Sequence, residues 1–206
     1  MLALLGWNPG TEQEILSMDE LINLFDISHI SKSGAKFNVE KAKWFNHEYL
    51  QKCSDETIAE MFLPQLKEHN IEADKNYVVK VCSMMKERIN FPSELWNTCS
   101  YFFTAPTEYD PQAIKKRWKP GMTTHMQKVI EIIETVPFEY DAIHKALLDD
   151  YIVANQFNMG QIMNSFRLAV VGTTVGPDML TLVMTIGKEE TLNRVRKAIE
   201  VIGEVE

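Results

Sequence analysis

A series of helix-start signals, each followed by apolar residues three and four apart, limits most strongly what this chain can become. Ser17-Met-Asp-Glu20 has the form of a capping box, and Leu21, Ile22, Leu24 and Phe25 follow as an apolar face. Asn38 caps a segment in which Ala42, Phe45 and Tyr49 fall at helical spacing. Ser54 or Asp55 opens a helix through Leu66, and Asp74 opens another with Tyr77, Val78, Val81, Met84 and Met85 along one stripe. Asp110-Pro111 places a cap directly before a proline at the first helical position. Further helices are predicted at about 123–134, 139–153, 159–171, 177–186 and 188–203. Nowhere does an apolar/polar alternation last long enough to argue for a strand. The expected fold is all-α, with several small helical subdomains.

The 206 residues suffice for one large domain or two to three small ones, and 45% hydrophobic content can supply real cores. Lys52-Cys-Ser54 and the stretch Thr104-Ala-Pro-Thr-Glu-Tyr-Asp-Pro111 read as breaks, the second as a linker with two prolines. Cys53, Cys82 and Cys99 have no useful spacing and read as reduced thiols of a cytoplasmic protein. The five histidines never fall at metal-ligand spacing, so no metal site is expected. The segment Met1-Leu-Ala-Leu-Leu-Gly-Trp7 is apolar at once, which is not the form of a signal peptide. It reads as the back half of a helix and predicts a piece cut from a longer protein, and no membrane span is expected.

The net charge of −8 disfavours indiscriminate coating of nucleic acid. Basic charge nevertheless collects centrally: residues 61–120 carry 9 Lys/Arg against 7 Asp/Glu, whereas 1–60 carry 5 against 10. Its densest point is Lys115-Lys116-Arg117-Trp118-Lys119, where the cations could hold phosphates and Trp118 either stacks or anchors its helix. Lys32, Lys36, Lys41 and Lys43 are candidates for further backbone contacts, and a solvated face is the alternative for each.

The run Arg167-Leu-Ala-Val-Val-Gly-Thr-Thr-Val-Gly-Pro-Asp-Met-Leu180 is too short and interrupted to cross a membrane. It also lacks the Lys-Ser/Thr pair of a phosphate loop. Gly172 sits where a left-handed helix stop falls, Pro177 is expected to begin the next helix, and Gly187 ends it. Residues 172–176 then form a tight turn between two helices, beside Arg167 and the free N–H groups of the second helix. A guanidinium, free amides and a rigid corner suit a polar planar ligand. The same residues also describe a plain helix corner with a surface arginine, in an ion pair with Asp178 for instance, and spacing alone leaves both readings open.

The same run, followed by Ile186-Gly-Lys-Glu-Glu190 and Arg194, resembles the C-terminal signature of bacterial glutamyl-tRNA synthetases. Leu4-Leu-Gly-Trp-Asn-Pro-Gly10, Glu12-Gln-Glu-Ile15, Leu24-Phe-Asp26 and Ile30-Ser-Lys-Ser33 with Phe37 and Asn38 resemble the segment that follows that family's catalytic core. The resemblance implies a stem-contact region at 1–52 and two anticodon-binding helical subdomains at 53–106 and 107–206. It implies tRNA as partner, recognition of the anticodon loop of tRNA for glutamate, and a cytoplasmic, monomeric parent that attaches glutamate to tRNA using ATP and Mg. Neither the His-x-Gly-His nor the Lys-Met-Ser-Lys type of ATP motif occurs in this chain, and Ser31-Lys-Ser33 lacks the second lysine. No catalytic residue and no cofactor site is therefore assigned to the chain itself.

Residue by residue, the resemblance matches Arg167 to an arginine that packs on and hydrogen-bonds an anticodon base. Gly176, Pro177 and Met179 match the corner whose backbone and apolar side chain meet the same bases, although glycine at 176 stands where relatives carry a hydroxyl. Arg88, in Met84-Met-Lys-Glu-Arg88, matches the arginine that some members use on the last anticodon base. Gln161 and Asn164 share the helical face approaching Arg167 and could offer amides. The reading from another class is a helical protein–protein module without tRNA readout, to which a Met-rich stripe also fits.

Overall fold

The computed structural model describes residues 1–32, 34 and 36–204. Ser33, part of the triplet weighed above as an ATP motif, lies outside them. Eleven α-helices make up the described residues: α1 Met18–Leu24, α2 Val39–Lys52, α3 Asp55–Glu68, α4 Lys75–Met85, α5 Leu95–Cys99, α6 Pro111–Arg117, α7 Met122–Thr135, α8 Tyr140–His144, α9 Met159–Val171, α10 Met179–Ile186 and α11 Lys188–Ile202. Among these residues there is no β-ladder, and one isolated antiparallel bridge joins Trp7 to Ile30. The fold is all-α.

Local chemistry sets most helix starts. Ser17 accepts from the Glu20 amide while the Glu20 carboxylate accepts from the Ser17 amide at 2.7 Å, a complete capping box. Asn38, Ser54, Asp74, Asp110 and Asn158 each accept an amide of the first turn of the helix that follows. Two expectations need correction. The helix predicted over 139–153 is α-helical only through α8 and continues as a π-helical segment, Lys145–Val153, in which bonds reach five residues back. Pro177 does not begin α10: the carboxylate of Asp178 accepts from the Thr181 amide at 2.8 Å, so Asp178 is the cap and Pro177 precedes it.

Two compact units divide the chain, Met1–Asn97 and Thr98–Glu206. In the first, α3 and α4 pack as a pair around Ile58, Phe62, Val78, Val81 and Cys82. Side chains of α2 tie it to the segment after α4, with Gln51 donating to the Lys86 carbonyl at 2.9 Å. The start of this unit is different: Leu2, Met18, Ile22, Phe25 and Ile27 are exposed, and several of them line an apolar groove of about 730 Å³.

In the second unit α9 is the central element, packed by α6, α7 and α11. Trp118 is fully buried and donates its indole N–H to the Gly203 carbonyl at 3.0 Å, so it anchors the end of α6. Ser165 on α9 donates to the Arg117 carbonyl at 2.9 Å, which fixes the same end from beneath.

Candidate nucleic-acid interface

The corner between α9 and α10 is built from both of its glycines. Gly172 has φ +84° and its amide bonds the Leu168 carbonyl at 2.8 Å, the left-handed helix stop expected of it. A Cβ there would lie 2.7 Å from the Glu108 carbonyl oxygen and 2.9 Å from the Pro106 side chain. The connection before α6 therefore lies directly on this glycine, and the Asp110 amide bonds the Gly172 carbonyl at 2.9 Å. Only a residue without a side chain admits that approach.

Gly176 serves the other end of the turn. A Cβ on it would come within 2.8 Å of Arg167 Nη1 and 3.6 Å of the Tyr101 hydroxyl. The guanidinium thus lies across the backbone of Gly176, and Arg167 is half-buried there. Pro177 is buried, and Met179 is only 2% exposed. The Met179 side chain is therefore core packing under the corner, and the expected apolar contact with a base runs against that burial. Thr173 and Val175 are the exposed part of the turn.

The start of α10 is not the open set of amides expected from the spacing. Asp178 covers it: its Oδ1 accepts from the Thr181 amide and, at 2.9 Å, from the Thr181 hydroxyl. A carboxylate at a helix N-terminus neutralises the partial positive charge that would draw an anion. The corner is therefore suited to a neutral polar ring and poorly suited to a phosphate. Its fixed positive charge comes from Arg167.

Beneath the corner lies a second arginine. Arg194 on α11 is 2% exposed, donates Nε to Glu190 at 2.7 Å, and donates Nη1 to the Tyr101 carbonyl at 2.6 Å and the Val170 carbonyl at 3.1 Å. The spacing carried a signal for it, since Thr191, Arg194, Val195 and Ala198 share the buried face of α11. Tyr101 had no local signal at all. Nearby, the Tyr109 hydroxyl is buried with no partner among the described residues, and burial raises its pKa.

Other candidates lie earlier on α9, around the end of α6 and in the first unit. Asn164 donates its amide back to the Gly160 carbonyl of its own helix at 2.5 Å, and Gln161 is half-buried. Lys115, Lys116 and Lys119 are exposed at the end of α6, with Lys119 Nζ donating to the Lys115 carbonyl at 2.8 Å, while Arg117 is half-buried. In the first unit Arg88 is exposed, on a short 3-10 turn after α4. Lys32 and Lys36 are exposed there as well. Lys41 and Lys43 are committed to ion pairs with Glu14 and Glu40. No three His, Cys, Asp or Glu side chains gather as they would around a metal ion among the described residues.

Known proteins are similar to this chain in sequence and fold. A family model described as "Anticodon binding domain" matches residues 57–199. The glutamate–tRNA ligase of Bacteroides fragilis is 50% identical over 98% of this chain, and that of Porphyromonas gingivalis is 43% identical over 98%. Each match covers 40% of the relative, so the chain spans about two-fifths of the length of the curated relatives it matches. Among solved structures, a glutamate tRNA ligase from Elizabethkingia meningosepticum, in complex with its amino acid, superposes with a TM-score of 0.90 at 41% identity, covering 98% of this chain and 40% of that one. The glutamate–tRNA synthetase of Elizabethkingia anophelis gives 0.84 at the same identity, covering 97% and 39%. With a family model matching well over half of its length and both Arg167 and Arg194 inside the matched span, this chain belongs to the anticodon binding domain family.

Proposed function

We propose that this chain binds tRNA for glutamate and reads bases of its anticodon loop at the corner between α9 and α10, as part of a ligase that attaches glutamate to tRNA. The observation that carries this reading is the half-buried Arg167 guanidinium laid over a side-chain-free Gly176, at a helix end whose acidic cap discourages phosphate. Loop bases splay from their stack and meet the guanidinium plane and the backbone of 173–176, worth roughly 1–3 kcal/mol per base. Pro177 and Met179 support the turn from below. Arg88 reads the last anticodon base, Lys115, Lys116, Arg117 and Lys119 hold phosphates, and Lys32 and Lys36 follow the stem backbone.

The functional parts are 1–52 for stem contact and 53–106 and 107–206 for anticodon binding. The ATP and Mg of the ligase bind outside this chain, whose sequence holds neither nucleotide motif. The whole ligase is a cytoplasmic monomer. Nuclease footprinting of tRNA for glutamate tests the reading: protection is expected at the anticodon loop and along the inner stem. Uniform protection, or none, overturns it.

A second reading has its own observation. The exposed apolar groove of about 730 Å³ formed by Met1, Leu2, Trp7, Met18, Ile22 and Phe25 favours a contact with another folded protein surface at that face. If that is the whole role of the chain, it binds a protein partner and shows no preference for tRNA over total RNA in a competition titration.

A further inference from the structure

We infer that His47 and Gln51 of α2 are positioning residues for Arg88, holding its turn so that the guanidinium meets one RNA base at a fixed place. The inference rests on the reading of Arg88 above and deepens it. Arg88 ends the 3-10 turn Lys86–Arg88 and is exposed. Its guanidinium makes no hydrogen bond or ion pair among the described residues, so its donors are open to a ligand. An unpaired arginine has many rotamers to lose on binding, and where it can reach is set by the backbone that carries it.

That backbone is held by one helix. Asn46 donates to the Asn90 carbonyl, His47 Nδ1 lies 2.9 Å from the Ile89 carbonyl, and Gln51 donates to the Lys86 carbonyl at 2.9 Å. A carbonyl only accepts, so Nδ1 is the protonated ring nitrogen of His47. His47 and Gln51 stand four residues apart and therefore share one face of α2, while their targets flank Arg88 at 86 and 89. The rest of the turn is committed as well. The Glu94 carboxylate accepts the Asn90 amide at 2.7 Å and the Phe91 amide at 3.3 Å, Lys86 pairs with Asp55 at 3.4 Å, and Ile89 is fully buried. Arg88 is thus an unattached side chain on a backbone anchored before and after it, which is pre-organisation of a recognition group.

The chemistry of a guanidinium gives this anchoring a task. An arginine fork reads two acceptors on a base edge at once, and that geometry fails if the fork drifts. Removing a donor from α2 frees a backbone carbonyl and lets the turn move, without touching the guanidinium or any lysine. The loss then falls on discrimination between bases and spares the part of RNA affinity that comes from phosphates. Because α2 belongs to the 1–52 region proposed for stem contact, that region also sets the aim of Arg88.

The test measures Kd for a tRNA transcript for glutamate and for the same transcript with its last anticodon base replaced. The whole chain is used as wild type, Arg88→Ala, His47→Ala, His47→Asn and Gln51→Leu, with melting followed for each. Wild type is expected to prefer the native transcript about tenfold, and Arg88→Ala to bring that ratio close to one. His47→Ala and Gln51→Leu should each lower the ratio about threefold, with binding of the replaced transcript at the wild-type level. His47→Asn, whose amide puts a donor near the place of Nδ1, should restore the ratio, which a merely structural role would not link to the identity of the base. If His47→Ala and Gln51→Leu keep the wild-type ratio, or weaken both transcripts equally, the inference falls while the reading of Arg88 stands. If Arg88→Ala also keeps the wild-type ratio, that reading falls with it.

Discussion

Two arginines in the second unit show how burial separates roles at the level of single residues. Arg194 is sealed in and directs its donors to Glu190 and to two carbonyls, whereas Arg196, about 200° further round the same helix, meets Glu134 at the surface. Removing Arg194 leaves buried carbonyls short of a partner, so Arg194→Met should lower unfolding stability by about 2–4 kcal/mol in a urea titration. Arg196→Met should cost under about 1 kcal/mol, as exposed ion pairs do. The cysteines divide in the same way. Cys82 and Cys99 are fully buried, and burial, assisted by the Asp55 charge, pushes the Cys82 thiol up to about 12. Cys53 is half-buried. A thiol reagent at pH 8 should label Cys53 rapidly and the other two only after denaturation, with mass spectrometry counting the sites.

Among the elements, the two left-handed glycines at helix ends make a controlled comparison. Gly121, before α7, has φ +80° and open space around its α-carbon, while Gly172 has φ +84° and a backbone oxygen 2.7 Å from a would-be Cβ. Gly121→Ala should cost about 1 kcal/mol from backbone strain alone. Gly172→Ala should cost clearly more, about 3 kcal/mol, because the connection at 106–108 must also move. A pH dependence belongs to the packing of α7 against the π-helical segment. His125 accepts or donates at 2.7 Å to the Tyr151 hydroxyl, and burial lowers its pKa. The unfolded histidine, near pH 6.5, then takes up a proton more readily than the folded one. The contribution is complete above that pH and is lost as pH falls, so acidifying to pH 5 should destabilise wild type more than His125→Gln in thermal melts.

Helices were legible in the sequence because their determinants are local: Ser17, Asn38, Ser54, Asp74, Asp110 and Asn158 all cap from within the first turn. The widening of 145–153 was not legible, since its apolar spacing serves an α- or a π-helix alike. At the corner, Arg167, Gly172 and Gly176 could be read together because they are close in sequence. Tyr101 could not, because only tertiary packing brings its hydroxyl to Gly176.

For the whole chain, net charge and ion pairing bear on how tRNA is held. The charge is −8, and Lys41, Lys43, Lys75, Lys86, Lys128 and Lys145 are already paired with carboxylates. The six cations proposed to hold phosphates, Lys32, Lys36, Lys115, Lys116, Arg117 and Lys119, predict a logarithmic salt slope of about −5, at roughly 0.9 for each phosphate contacted, and phosphate contacts carry no sequence information. Discrimination must then come from base contacts. The most direct test is the ratio of Kd values for native tRNA for glutamate and for the same transcript with one anticodon base replaced, measured with wild type and with Arg167→Ala. The account predicts a ratio of about ten or more for wild type at one or more anticodon positions, collapsing towards one in the variant. A ratio that is the same in both proteins at every anticodon position would contradict it.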